Sequence, residues 1–331
     1  MSQVSRVSGQ CDCSVRTSGT TWVTSPRAEV RRRHSEAGGG GFVKDRSIRD
    51  LLDFSGALMF HGRACFDWAR ELGRGMSDAQ VQATRDGAIL FDAAACGAAR
   101  PDGDWFSAAH WAALGRAEAR DGGRGGVAFV ETPAGACVLR HYHRGGMAAR
   151  VSADSYLWTG AKRTRSFREF RLLDHLAAAG LPVPAPVAAR YVRSGMSYRA
   201  DLIVRRIPSV DTLAERLARG ALDAALGERI GAMLARFHAA GACHADLNAH
   251  NILLDPRNHV ALIDFDRGSL RKPALSWQQA NLARLRRSLV KLGANKRFDD
   301  FDTRFWHPLL GAYHAGIAKA PVVATARGGG R

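Results

Sequence analysis

The feature that most constrains this chain is a fixed spacing of polar side chains around two short apolar segments. Asp246 lies two residues after His244. Asn251 lies five residues after Asp246, and Asp264 lies eighteen residues after Asp246. Residues 252–254 and 260–263 are apolar and are separated by the turn 255–258. This pattern predicts a β-hairpin that returns Asn251 and Asp264 to the same end of a sheet.

The side chains at that end suit phosphate chemistry. Carboxylate and amide oxygens are ligands that Mg²⁺ accepts beside phosphate oxygens, so we predict Asn251 and Asp264 as metal ligands. Asp246 is the predicted catalytic residue, which orients an acceptor hydroxyl and takes its proton, and His244 is expected to brace the loop from beneath. Asp266 either joins a second metal ion or caps the next turn. The joint spacing is that of a kinase catalytic loop, which favours a phosphotransferase.

A nucleotide-binding segment is predicted upstream. Glycines precede the apolar residues 127–130, which we expect to pair with residues 136–139 around the turn 132–135, although Ala128 stands where a third motif glycine would be. An arginine ends the second strand, where a lysine usually contacts the phosphates. The predicted ATP phosphate-binding residues are Gly123, Gly125, Gly126, Arg140 and, as a second arginine, Arg144.

A helix is predicted after these strands, because Phe167, Phe170 and Leu173 recur on one helical face. Glu169 on this helix is the candidate partner of the phosphate-binding arginine. Ser166 and Glu169 also have the spacing of a capping box, which would use the carboxylate at the helix start. Both roles stay open at this stage.

The order of elements predicts an α+β, two-lobed, protein-kinase-like fold. We place a small β-rich N-lobe at 76–206 and a helical C-lobe at 207–331. Residues 1–75, rich in Ser, Thr, Gly and Arg up to residue 41, are expected to be a disordered or extraneous extension. Asp264 leads within about a dozen residues to another helical pattern, so there is no long activation segment for docking a peptide. The acceptor is therefore expected to be a sugar, a lipid or another small molecule.

Composition limits the partners. The net charge of +17 attracts polyanions, such as nucleic acid, anionic lipid or phosphorylated substrates, and no nucleic-acid reader motif is present. There is no run of eighteen apolar residues and no secretory signal pattern. The six cysteines show no C-x-x-C pair, which indicates reduced thiols in the cytoplasm. The basic helical segment 282–291 is either a solvated face over a core or a surface for anionic lipid.

From about residue 88 to residue 291 the chain resembles the 3-deoxy-D-manno-octulosonic acid (Kdo) kinases of Gram-negative bacteria, relatives of the lipopolysaccharide heptose kinases. Arginine in place of the phosphate-binding lysine and the Asp-Arg-Gly ending are similar to that family. The resemblance is carried by residues 88–92, 138–142, 144–146, 244–253, 263–268 and 277–291.

This resemblance implies that the chain uses ATP and Mg²⁺ to phosphorylate the 4-hydroxyl of Kdo on Kdo-lipid IVA. The implied location is peripheral, on the cytoplasmic face of the inner membrane. The implied partners are a Kdo-containing lipid A precursor and the anionic membrane, with neither nucleic acid nor an obligate protein partner. The alternatives are a heptose kinase, an aminoglycoside-type phosphotransferase, or an inactive pseudokinase that binds membranes or partners. The presence of Asp246, Asn251 and Asp264 argues against the last.

Overall fold

The computed structural model of the protein describes residues 78–118, 127–143, 155–208 and 210–319. The extension expected at residues 1–75 lies outside these ranges. The predicted phosphate-binding residues Gly123, Gly125, Gly126 and Arg144 lie outside them too, so their roles stay predictions.

The first part of the described chain forms an antiparallel sheet of eight strands. Seven strands follow the order β1-β2-β7-β8-β5-β4-β3, and β6 pairs with β8. The strands are β1 (Ala79–Thr84), β2 (Gly87–Asp92), β3 (Ala117–Glu118), β4 (Val127–Thr132), β5 (Gly135–His141), β6 (Tyr156–Leu157), β7 (Pro186–Ser194) and β8 (Ser197–Arg205).

The predicted β4–β5 hairpin is present, with Val127 opposite Arg140. Its turn is closed by Thr132, whose hydroxyl accepts a hydrogen bond from the backbone N–H of Ala134 at 3.1 Å and donates to the carbonyl of Gly135 at 3.0 Å. Gly135 has a φ of +95°, a conformation that side chains disfavour. Arg140 lies near the end of β5, opposite Leu202 of β8.

Helices and short strands make up most of the remainder. The helices of the described residues are α1 (Ala93–Cys96), α2 (Ala108–Ala113), α3 (Arg165–Ala178), α4 (Leu213–Ala218), α5 (Ala224–Ala239), α6 (Leu275–Lys291), α7 (Ala294–Arg297) and α8 (His307–Lys319). Short 3₁₀ or π turns cover Asp104–Phe106, Ala161–Arg163 and Asp302–Trp306. The later strands are β9 (Asp211–Thr212), β10 (Ala242–Cys243), β11 (Ile252–Leu254), β12 (Val260–Leu262) and β13 (Ser269–Leu270).

The two faces of the large sheet are covered differently. Helix α3 packs on one face and buries the predicted stripe of Phe167, Phe170 and Leu173. The segment before β3 covers the other face, where Trp105 and Trp111 are buried in a separate cluster with residues of β2, β5 and β8. Successive side chains of a strand point to opposite faces of the sheet, so Arg140 and His141 on β5 lie on opposite faces.

The helical lobe is tightly packed around α5. Gly227 and Gly231 lie against the chain that enters α8, and a Cβ added at Gly231 would overlap the carbonyl oxygen of Leu309. These glycines therefore let the two helices approach closely. Helix α5 ends at Ala239, and Gly241, whose φ is +76°, stands immediately before β10 and the predicted catalytic loop.

These elements confirm the predicted α+β fold, with a β-rich part followed by a helical part. The last strand of the large sheet ends at Arg205, and the described residues all belong to one compact unit, so the expected boundary between two lobes at residue 206 stays a prediction. Helix α6 begins eleven residues after Asp264, at Leu275, which leaves no long activation segment. In the part of the chain that the structure describes, no helix has the length and hydrophobicity to cross a membrane.

Candidate active site

The site is built at the end of the β11–β12 hairpin. Ile252 pairs with Leu262, and the backbone N–H of Ile263 donates to the carbonyl of Asn251 at 3.0 Å. At the opposite end, the carboxylate of Asp255 closes the turn by accepting hydrogen bonds from the backbone N–H groups of residues 257 and 259, both at 2.8 Å. The hairpin therefore brings Asn251 and the residue after Ile263, which is Asp264, to the same end, as the spacing predicted.

Asp264 occupies an unusual backbone conformation. Its φ is +63°, in the left-handed region that residues with a Cβ seldom adopt. Such conformations persist where the surroundings hold them, and they are common at functional sites. The next residue, Phe265, is buried against the ring of His244 at 4.8 Å and anchors the turn. The carboxylate of Asp264 is left 42% exposed at the site.

Asn251 is buried, and its side-chain nitrogen donates to the backbone carbonyl of Asp246 at 2.9 Å. This bond uses the amide nitrogen and leaves the amide oxygen as the possible ligand for a cation. Within the described ranges, no three His, Cys, Asp or Glu side chains form a metal-binding group. A Mg²⁺ ion would thus be held by Asn251 and Asp264 together with phosphate oxygens, a donor set that this hard cation accepts.

Asp246 is open to an incoming acceptor, since its side chain is 65% exposed. Two neighbours contact its carboxylate: the side-chain amide of Asn248 at 3.1 Å and a guanidinium nitrogen of Arg284 at 3.4 Å. The sequence analysis singled out neither as a site residue. Asn248 lies within the catalytic loop, and Arg284 was one of several cations in a basic helix, with nothing local to distinguish it.

His244 lies beneath the loop, where only 2% of it is exposed. Its Nδ1 accepts a hydrogen bond from the backbone N–H of Asp246 at 3.1 Å, so its Nε2 carries the proton and donates to the carbonyl of Ile263 at 2.9 Å. Burial lowers the pKa of His244, which favours the neutral ring that these bonds require. These contacts join the backbone of Asp246 to that of Ile263, next to the predicted metal ligand Asp264, so the geometry is compatible with the predicted brace role of His244.

Helix α6 supports the same loop from the other side. The amide of Asn281 accepts from the backbone N–H of His244 at 3.2 Å and donates to its carbonyl at 3.0 Å. The hydroxyl of Ser288 accepts from the backbone N–H of Ala249 at 3.1 Å. The sequence analysis missed these supports because no local pattern indicates which helix docks against the loop.

Arg140 connects the sheet to both sides of the site. One guanidinium nitrogen binds the carboxylate of Glu169 on α3, and the other binds Asp264. The hydroxyl of Tyr142 also donates to Glu169, at 2.6 Å, and the guanidinium of Arg140 lies 4.7 Å from the Tyr142 ring centre. Although burial disfavours its charge, the neighbouring carboxylates raise the pKa of Arg140 well above its ordinary value. Arg140 therefore stays charged between two acidic partners.

The two roles left open for Glu169 are now distinguished. Thr164 is the residue before α3, and the hydroxyl of Ser166 donates to the carbonyl of Arg190 at 2.9 Å. The capping box is therefore absent, and Glu169 is instead the 3%-exposed partner of Arg140. Burial raises the pKa of Glu169, and its bonds to Arg140 and Tyr142 oppose that shift.

Asp266 has a different environment from the one expected. Its two carboxylate oxygens both bind Arg165 at the start of α3, one of them at 2.8 Å from Nε. The turn that it was expected to cap is closed by a backbone hydrogen bond from Gly268 to Phe265 at 2.7 Å. This arrangement favours a structural link to α3 over the predicted metal or turn-capping role, because the ion pair occupies both oxygens.

Comparison with known proteins places this geometry in context. The model of the lipopolysaccharide kinase (Kdo/WaaP) family matches residues 108–313. The chain is similar to a 3-deoxy-D-manno-octulosonic acid kinase of Xanthomonas campestris pv. campestris, with 54% identity over 216 residues, which cover 65% of this chain and 85% of the relative. A protein of the same name from Stenotrophomonas maltophilia is 52% identical over 217 residues, covering 65% and 84% respectively.

Proposed function

Since this chain belongs to the lipopolysaccharide kinase (Kdo/WaaP) family, we propose that it transfers the γ-phosphate of ATP to the 4-hydroxyl of Kdo on Kdo-lipid IVA. The observation that carries the proposal is the convergence of Asp246, Asn251 and Asp264 at one end of the β11–β12 hairpin. The names of the relatives supply the sugar.

Each residue of the site has a role in this reaction. Asp246, which is exposed, accepts a hydrogen bond from the acceptor hydroxyl and takes its proton as the phosphate is transferred. Asn251 and Asp264 would hold Mg²⁺, which would supply positive charge to neutralise the phosphate oxygens. His244 stays neutral and maintains the loop that carries Asp246. Positioning and charge neutralisation are what phosphoryl transfer requires from a protein.

Among the described residues, Arg140 is the one that we propose as a phosphate ligand. Glu169 orients its guanidinium from the buried side, while the contact with Asp264 brings it to the metal-binding end. A guanidinium carries five N–H donors in a planar fork, so its bonds to Glu169 and Asp264 leave donors for a phosphate oxygen, whereas a lysine has a single ammonium group. The arginine is therefore suited to its position on β5.

We further propose that the protein acts at an anionic membrane surface. The net charge is +17. Basic residues are concentrated at 162–171, where Arg165 is bound to Asp266 and the others are exposed: Lys162, Arg163, Arg168 and Arg171. Leu270 at the end of β13 is 46% exposed and Leu275 at the start of α6 is 70% exposed, on either side of Arg271 and Lys272. Exposed leucines beside cations match the requirements for binding at a lipid interface.

Sedimentation with vesicles tests the membrane proposal. We expect the full chain to bind vesicles that contain an anionic phospholipid and to bind neutral vesicles weakly. The double variant Leu270→Ser and Leu275→Ser should weaken binding to the anionic vesicles. Equal binding to both vesicle types, or an unchanged double variant, would argue against this surface.

Incubation of the purified chain with ATP, Mg²⁺ and Kdo-lipid IVA, followed by mass analysis of the product, tests the reaction. We expect one added phosphate on Kdo, and a loss of roughly 100-fold or more in rate for Asp246→Ala. Transfer to a heptosylated acceptor with none to Kdo would favour a heptose kinase. No transfer to any acceptor would favour a binding module.

A further inference from the structure

We propose that Arg284 forms a carboxylate-binding subsite that recognises the acid group of the acceptor sugar. This inference rests on the proposed function, because an ulosonic acid such as Kdo carries a carboxylate in addition to its hydroxyl groups. It assigns an acceptor-binding residue, and with it a reason why an acidic sugar is selected over a neutral one.

The first support is the loose contact between Arg284 and Asp246. The shortest distance between the guanidinium and the carboxylate is 3.4 Å, and the two side chains are 47% and 65% exposed. Charge-assisted N–H···O bonds are usually about 2.7–2.9 Å long. Arg284 therefore lies beside the catalytic carboxylate without a tight bond to it, and its guanidinium can still bind an incoming anion.

The second support is that the position of Arg284 is fixed by its helix. Asn281, three residues earlier, holds both backbone groups of His244, and Ser288, four residues later, holds the backbone of Ala249. Residues three and four apart lie on one helical face. The face of α6 that carries Arg284 is thus anchored to the catalytic loop on both sides, which places the guanidinium reproducibly at the acceptor entrance.

The third support is the electrostatic requirement of an acidic acceptor. When a hydroxyl of an acidic sugar binds at Asp246, the carboxylate of the same sugar is brought towards a carboxylate of the enzyme, and like charges repel. A cation beside Asp246 offsets this repulsion. Among the other arginines of the described site, Arg140 binds Glu169 and Asp264, and Arg165 binds Asp266.

The neighbouring arginines of α6 differ in their surroundings. Arg286 forms an ion pair with Asp302 at 3.0 Å. Arg287 is exposed and offers a matched control, since it has the same charge, the same helix and similar solvent access. An ordinary surface ion pair between Arg284 and Asp246 would predict a small effect that is the same for every acceptor.

The test compares two acceptors with the full-length protein in detergent micelles: a Kdo-containing lipid A precursor and the same molecule with its Kdo carboxyl group converted to the carboxamide. Values of kcat/KM are measured for the wild type, Arg284→Ala, Arg284→Lys and Arg287→Ala. We expect Arg284→Ala to lose roughly 10- to 100-fold on the acid, the range for a lost charged hydrogen bond, and to lose little on the carboxamide. Arg284→Lys should retain part of the preference for the acid, and Arg287→Ala should retain all of it.

The outcomes separate this inference from the proposed function. If the wild type does not phosphorylate the Kdo acceptor, the proposed function fails before any variant is compared. If the wild type does so and Arg284→Ala lowers kcat/KM equally for both acceptors, Arg284 acts only on Asp246 and the subsite is rejected. An Arg287→Ala variant that loses the preference for the acid would also overturn it, because the effect would then belong to the general charge of the helix.

Discussion

Replacement of Arg140 by lysine tests the ion-pair arrangement at the centre of the site. Arg140 binds Glu169 and Asp264 through different nitrogens. Lysine keeps the charge but has one ammonium group and no planar fork, so it cannot maintain both contacts in the same geometry. A hydrogen bond to a charged group contributes about 1.5–3 kcal/mol, and 1.4 kcal/mol corresponds to about tenfold. We therefore expect kcat/KM for ATP to fall roughly 10- to 100-fold, measured as ADP release at a saturating acceptor concentration.

Arg190→Lys is the matched control for this change. Arg190 pairs with Asp201, and the side-chain exposures of this pair, 21% and 4%, nearly equal those of Arg140 and Glu169, 21% and 3%. Arg190 also donates to the carbonyl of Gly103, on the face of the sheet away from α3. Urea unfolding should show a similar loss of stability in both variants, while Arg190→Lys keeps its kcat/KM. Wild-type kcat/KM in Arg140→Lys, or an equal loss in the control, would refute the reasoning.

Three further predictions concern packing, pH and the buried carboxylate. Gly231→Ala should lower the free energy of unfolding by about 1–3 kcal/mol, because its methyl group would overlap a backbone carbonyl of α8. Gly311→Ala, which meets open space, should raise it by about 0.5–1 kcal/mol in the same urea titration; equal effects would contradict the packing argument. Burial lowers the pKa of His238 from 6.5 to about 4, so the unfolded chain gains a proton first as the pH falls. The contribution of His238 to stability should then be complete above about pH 6.5 and fall by roughly 3 kcal/mol towards pH 4. His238→Gln should reduce the loss of stability between pH 7 and pH 5 in urea unfolding, and the exposed-site variant His307→Gln should not. Tyr142→Phe removes a hydrogen bond to a buried carboxylate and should raise KM for ATP more than it changes kcat, and an unchanged KM would mean that the phenol does not help to position the arginine.

The parts of the site that could be predicted from the sequence are those set by short spacings. Asn251 and Asp264 are joined by a hairpin whose strands and turn are local, so the apolar pattern and the turn residues were sufficient. Helix α3 and its buried stripe were predictable for the same reason. The choice between two roles for Glu169 was not predictable, because a capping box and an ion pair with Arg140 use the same carboxylate. Only the packing of α3 on the sheet decides between them.

The residues that were missed or misassigned are connected over long sequence separations. Asp266 and Arg165 are 101 positions apart, and Arg284 is 38 positions from Asp246. The sequence contains many arginines, and nothing in its local pattern indicates which of them meets a given carboxylate. The docking of α6 against the catalytic loop brings Arg284 to Asp246. The approach of α3 to the turn after Phe265 brings Arg165 to Asp266.

In α6, the residues that support the catalytic loop are different from the residue proposed to contact the acceptor. Asn281 and Ser288 hydrogen-bond to the backbone of the catalytic loop, whereas Arg284, between them, is 47% exposed and contacts the side chain of Asp246. If Arg284 binds the acceptor carboxylate as proposed, substitutions at this position are expected to alter acceptor preference while Asn281 and Ser288 continue to hold the catalytic loop. A directed-evolution library confined to position 284 and its exposed neighbours is the economical starting point for kinases with new sugar acceptors.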